Sequence, residues 1–136
     1  MPSKGSTLPG NPKLTGRRVL LIEDDWFIAD ALASLLNGEG LEIVGPAATL
    51  DDASRLIGTT AVDAAVVDLN LGGVMADPIV EQLTLSGVPV IVVSAYDTHP
   101  FVESVYATLQ KPVAATALIR ALVGATQGTE PSQQQI

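Results

Sequence analysis

Short apolar runs closed by polar residues alternate along this chain with longer segments in which apolar positions recur at helical spacing. Val19-Leu20-Leu21-Ile22 is unbroken and ends in acids. Such a run fits a strand buried on both faces, as in a parallel sheet. Residues 26–37 follow, with Ile28, Leu32 and Leu35 on one helical stripe, and Gly38 and Gly40 stop them. Residues 41–44 predict a half-buried second strand. Residues 50–57 predict a helix whose first turn suits Asp51 or Asp52, because acids are favoured at the positive end of the helix dipole. Ala64-Ala65-Val66-Val67-Asp68 predicts a third strand. Asp77 offers an N-cap with Pro78 in the first helical position, so a helix is predicted to Leu85, with Gly87 ending it. Residues 88–94 predict a fourth strand with Pro89 tolerated near its start. A short strand at 106–109 and a helix over about 115–123 complete the series.

Strand and helix alternate five times, which predicts an α/β fold with a doubly wound, five-stranded parallel sheet in the flavodoxin-like order 2-1-3-4-5. The folded part is expected over 17–126. Residues 1–16, rich in Gly, Pro and small polar residues, are expected to be a flexible leader, and 127–136 a flexible polar tail.

Composition narrows the function. The chain of 136 residues has room for one domain. It contains no cysteine, which excludes disulfides, thiolate metal sites and thiol catalysis. No apolar run is long enough for a membrane helix and no signal peptide opens the chain, so the expected location is the cytoplasm. Fifteen acids against seven bases give a net charge of −8. Such a surface does not attract DNA, and it repels a phosphorylated substrate unless a cation compensates locally.

In a doubly wound sheet, ligands bind beyond the carboxyl ends of the strands. Strand one ends in Glu23-Asp24-Asp25, strand three in Asp68 and strand four in Ser94; Lys111-Pro112 follow strand five. The fold gathers these at one edge, where clustered carboxylates need a cation or Lys111 to relieve repulsion. Hard oxygen donors suit Mg²⁺, or Mn²⁺ in its place. With a phosphoryl group present, each residue gains a role. Asp68 is the nucleophile that forms an acyl phosphate. Asp24, Asp68 and the Asn70 backbone carbonyl hold the metal, and Glu23 holds a metal-bound water. Lys111 contacts the phosphate as a point charge, and Ser94 donates a hydrogen bond to it.

The four motifs Val19-Leu20-Leu21-Ile22-Glu23-Asp24, Val66-Val67-Asp68-Leu69-Asn70, Val92-Val93-Ser94-Ala95 and Leu109-Gln110-Lys111-Pro112 resemble those of response-regulator receiver domains. The step of 44 positions from Asp24 to Asp68 is also similar. The resemblance spans about residues 17–126. It implies a phosphoryl donor that is a histidine kinase or a histidine phosphotransfer protein, and a cis bond between Lys111 and Pro112.

Singly, each residue has a plainer reading. An Asp at a strand end is common in turns, Glu23-Asp24-Asp25 is an ordinary helix start, Lys111-Pro112 a loop, and Ser94 a turn hydroxyl. Four in order at strand ends outweigh those readings. Asp25 reads as a helix-start residue rather than a ligand, and His99, the only histidine, as a solvated turn residue. Trp26 is expected near the site or in helix packing. Two rivals remain. A haloacid-dehalogenase-type phosphatase would carry a second acid at position 70, where Asn70 stands, so slow hydrolysis without turnover is expected. A phosphorylation-independent pseudo-receiver would not need Glu23, Asp24, Asp68 and Lys111 together.

One departure from the family bears on output. Receivers commonly place a switch aromatic three residues before the lysine, where this chain has Thr108. The nearest aromatics, Tyr96 and Tyr106, are the candidate switch rings. Only 17 positions separate Ser94 from Lys111, and after a loop and strand five little more than one helical turn fits. The fourth helix is therefore expected to be stunted or absent. With no attached output domain expected, the signal would pass to a separate, unknown protein, or the chain would act as a phosphate relay or sink.

Overall fold

The computed structural model describes residues 11–96 and 103–127. In chain order its elements are β1 (Arg18–Ile22), α1 (Trp26–Gly38), β2 (Glu42–Ala47), α2 (Leu50–Thr59), β3 (Ala64–Asp68), β4 (Asn70–Leu71), β5 (Val74–Met75), α3 (Asp77–Leu85), β6 (Val90–Ser94), β7 (Ala107–Gln110) and α4 (Ala115–Thr126). Five strands form one sheet in the order β2-β1-β3-β6-β7, with every neighbouring pair parallel. Counted without the short β4 and β5, this is the expected 2-1-3-4-5 arrangement.

The unbroken apolar runs are explained by burial on both faces. Leu20 and Ile22 of β1 pack with Ala65 and Val67 of β3 and Ile79, Val80 and Leu83 of α3. Their alternates Val19 and Leu21 pack with Val66, with Leu36 of α1, and with Leu118 and Leu122 of α4. Successive side chains on a strand point to opposite faces, so each run serves two cores at once. All of β3 and β6 is buried, polar Asp68 and Ser94 included.

Local chemistry sets the helix starts. Asp25 caps α1, its Oδ1 accepting from the backbone N–H groups of Phe27 and Ile28 at 3.0 and 3.2 Å. Thr49 caps α2, accepting from Asp52 N–H at 3.1 Å, with Asp51 and Asp52 in the first turn. At α3 the expectation is corrected: the cap position is Ala76, without a side-chain hydrogen bond, and Asp77 lies inside the first turn. Pro78 occupies an early position where its missing N–H has no partner to lose. Strand limits shift slightly: β2 runs on to Ala47, β6 starts at Val90, and β7 covers Ala107–Gln110. The bond between Lys111 and Pro112 is cis, as is Gly45–Pro46.

The expectation of a flexible leader over 1–16 does not hold for its described part, residues 11–16. From Asn11 the chain is folded against the domain: Asn11 N–H bonds to Glu39 O at 3.0 Å, Gly16 N–H to Gly40 O at 3.0 Å, and Leu14 is wholly buried beside Leu36, Leu41, Leu118 and Leu122. A single large apolar side chain in a polar stretch secures it, which composition averaged over sixteen residues conceals. Leu14→Ala is expected to destabilise the domain by about 2–4 kcal/mol, as for other buried leucines, read from urea unfolding. An unchanged midpoint would mean the strap is not docked in solution.

Between β6 and β7, Ala95 and Tyr96 form a bend and 103–106 form turns and bends. No helix is found there among the described residues, which hold four helices in all. The rest of the expected fourth-helix segment, 97–102, and with it His99, lies outside the described residues. No helix among the described residues is long and apolar enough to cross a membrane.

Candidate functional site

Parallel strands of similar length bring their carboxyl ends to one edge, and the polar residues that end β1, β3 and β6 meet there. Glu23, Asp24 and Asp68 each offer a carboxylate oxygen, and these oxygens lie within 4.8 Å of one another. Lys111, just past β7, reaches across with Nζ 2.9 Å from Asp68 Oδ2. Asp68 Oδ1 accepts from Asn70 N–H at 3.0 Å. Both oxygens of the buried carboxylate are thus held, one by a cation and one by backbone.

Ser94 ends the neighbouring strand and lines the same cleft as Asp68. It is buried, and its Oγ accepts from Tyr96 N–H at 3.1 Å, which leaves the hydroxyl proton available to another acceptor. Lys111 N–H bonds to Ser94 O at 2.8 Å, so the serine and the lysine are joined through the backbone. These groups share one open cleft of about 580 Å³, walled on one side by the β4–β5 hairpin.

Charge in this cleft is under-compensated. Glu23 is 3% exposed, and its pKa is raised to about 7. Burial is the main cause; the hydrogen bond from Asp25 N–H at 3.1 Å pulls the other way, and the Asp68 carboxylate pushes it further up. Burial also tends to lower Lys111, but its hydrogen bond to Asp68 and the negative charge of Asp68, Glu23 and Asp24 outweigh that and hold it above its usual value. One lysine against three acids leaves a site of hard oxygen donors that fits a divalent cation. Glu23, Asp24 and Asp68 are the side chains that would hold it.

The raised Glu23 fixes a pH dependence. Below about pH 4.5 the group is protonated in folded and unfolded chains alike. Between about 4.5 and 7 the unfolded chain releases a proton that the folded one keeps, so stability falls as pH rises, and levels off above 7. Metal-free protein is expected to lose on the order of 3 kcal/mol across that window. Thermal melts in EDTA from pH 5 to 8 check it, and stability rising through the window would contradict the assignment.

The sequence-predicted residues Glu23, Asp24, Asp68, Ser94 and Lys111 are all brought together. Asn70, proposed to act through its backbone carbonyl, lines the cleft, and its side-chain Oδ1 accepts from Gly73 N–H at 2.7 Å. Asp25 is the α1 cap rather than a member of the acid group. Tyr96 is 73% exposed at the cleft rim. Tyr106 is not among the residues that line the cleft, and its ring tip sits in the notch that Gly124 leaves on α4. Trp26 is exposed and stacks on Phe27, with ring centroids 4.7 Å apart.

Sequence reasoning missed the β4–β5 hairpin. Its signal was present: Gly72-Gly73 between Asn70-Leu71 and Val74-Met75 is the residue type that a two-residue turn with positive φ at both positions requires. Both glycines have positive φ, +62° and +94°.

The model of the response regulator receiver domain family matches residues 19–123. The sensory transduction protein RegX3 of Mycobacterium tuberculosis is 38% identical over 86 residues, covering 60% of this chain and 36% of RegX3. The chain therefore spans about a third of the length of the curated relatives it matches. Among solved structures, the non-phosphorylated HemR receiver domain of Leptospira biflexa is similar at a TM-score of 0.74 and 22% identity, over 86% of this chain and 99% of that one. The response regulator TrrA of Thermotoga maritima, solved in complex with Mg²⁺-BeF, is similar at 0.72 and 18%, over 80% and 98%. At these identities the two structures speak to the fold.

Proposed function

Because the chain belongs to the response regulator receiver domain family, we propose that it accepts a phosphoryl group on Asp68, in a Mg²⁺-dependent reaction, from a histidine kinase or histidine phosphotransfer protein. The observation that carries this reading is the buried Asp68 carboxylate, held by Lys111 at 2.9 Å and grouped with Glu23 and Asp24.

The chemistry balances with few parts. An Asp68 oxygen attacks phosphorus, a P–O bond forms, and the bond from phosphorus to the donor's imidazole nitrogen breaks, returning the electron pair to the ring. Magnesium supplies neutralisation of the phosphoryl oxygens when bound. Lys111 is already within hydrogen-bond distance of the nucleophile, so its charge can follow the phosphoryl group once Asp68 is esterified. Ser94, with its proton uncommitted, donates to a phosphoryl oxygen. The Asn70 backbone carbonyl is the proposed third protein ligand, and Glu23 the holder of a metal-bound water.

Asn70 offers no acid for turnover, so the acyl phosphate is expected to persist and hydrolyse slowly rather than cycle. The output is proposed to be a binding event with another protein, with Tyr96 and Tyr106 as candidate rings for a conformational response. Incubation with acetyl phosphate, with and without Mg²⁺, followed by a phosphoprotein gel tests the reading. Mg²⁺-dependent modification supports it. Steady hydrolysis of a phosphate ester would indicate a phosphatase, and no modification under any condition would indicate a binding module that works unphosphorylated.

A further inference from the structure

Among the described residues Asp24 is the member of the acid group whose side chain makes no hydrogen bond to the protein. What stands beside it is bare backbone. A Cβ added to Gly72 would lie 3.1 Å from Asp24 Oδ2, tighter than side-chain carbons ordinarily approach an oxygen. At the adjacent Gly73, an added Cβ would meet nothing within 4 Å. The two turn glycines share a positive φ and differ in what they face.

The turn that presents Gly72 is firmly held. Asn70 pairs with Met75 and Leu71 with Val74 across the hairpin. Asn70 Oδ1 accepts from Gly73 N–H at 2.7 Å, and Ala76 N–H bonds to Leu69 O at 2.8 Å at the hairpin's base. Leu71 is buried in the core shared with α3. The hairpin therefore cannot easily retreat from a side chain placed at its tip, and Asp24, being exposed, is the partner that yields.

We propose that Gly72 is a positioning residue for the cation site: its missing side chain lets the Asp24 carboxylate stand where its oxygen joins those of Glu23 and Asp68. The inference rests on the metal-assisted acceptor reading above. A methyl group at position 72 displaces Asp24 by a few tenths of an ångström. Magnesium demands near-ideal octahedral geometry and tolerates such displacement poorly.

Calorimetric titration with Mg²⁺ tests this, with Trp26, the single tryptophan and two residues from Asp24, as a fluorescent second readout. Gly72→Ala is expected to weaken Mg²⁺ binding about tenfold, as loss of support around a metal ligand commonly does. Gly73→Ala carries more backbone strain, since φ +94° lies outside the left-handed well that +62° occupies, but it makes no such contact and is expected to bind as the parent does. Gly72→Asn, whose residue type tolerates the left-handed region, is expected to bind weakly as well, which separates contact from strain. Melts in EDTA confirm that each variant is folded, and Gly72→Asn carries the test where Gly72→Ala does not fold. Parental affinity in folded Gly72 variants, or equal losses at 72 and 73, would overturn the proposal and leave the acceptor reading standing. A parent that binds no Mg²⁺ would overturn both.

Discussion

Asp68→Asn is expected to take up no phosphoryl group from acetyl phosphate and Mg²⁺ under conditions that modify the parent fully. The substitution keeps shape and volume but removes the anionic oxygen that attacks phosphorus. The fold should survive. The change loses the ion pair to Lys111, whose side chain is 32% exposed, and at the same time relieves repulsion with Glu23 and Asp24. These oppose each other, so stability should stay within about 1 kcal/mol of the parent. Intact-mass spectrometry with a matched melt checks both parts. A full adduct on Asp68→Asn would place the acceptor elsewhere.

The second large effect is on the response to metal. Mg²⁺ is expected to raise the melting temperature of the parent by mass action, because it binds the folded acid group and not the unfolded chain. Asp24→Ala should remove most of that response. In EDTA the same variant should melt at or above the parent, since one of three clustered charges is gone. Coincident parental melts with and without Mg²⁺ would count against the site, and so would an undiminished Mg²⁺ response in Asp24→Ala.

The sheet and its order were legible because each central strand is buried on two faces and so appears as an unbroken apolar run. Val19 to Ile22 and Ala64 to Val67 read this way, and their polar terminators mark the site. Asp68 and Lys111, 43 positions apart, could be brought together from topology alone. What was not legible depends on single contacts rather than on periodicity. Leu14 docks onto α1 and α4 from a stretch whose average composition is that of a loop. The β4–β5 hairpin is too short for a strand pattern, and only its paired glycines announce it. The cap of α3 falls on Ala76 rather than Asp77 because the preceding hairpin fixes where the chain enters the helix, Ala76 N–H being tied to Leu69 O. The raised Glu23 follows from burial beside Asp68, which no spacing reveals.

The most direct test of the central claim is to phosphorylate the parent with acetyl phosphate and Mg²⁺, reduce it with borohydride, and map the product by peptide sequencing. Borohydride converts an aspartyl phosphate to homoserine and leaves free aspartate unchanged. Homoserine at position 68 alone, and none when EDTA replaces Mg²⁺, is the expected result. Homoserine at another acid, or equal conversion in EDTA, would contradict it.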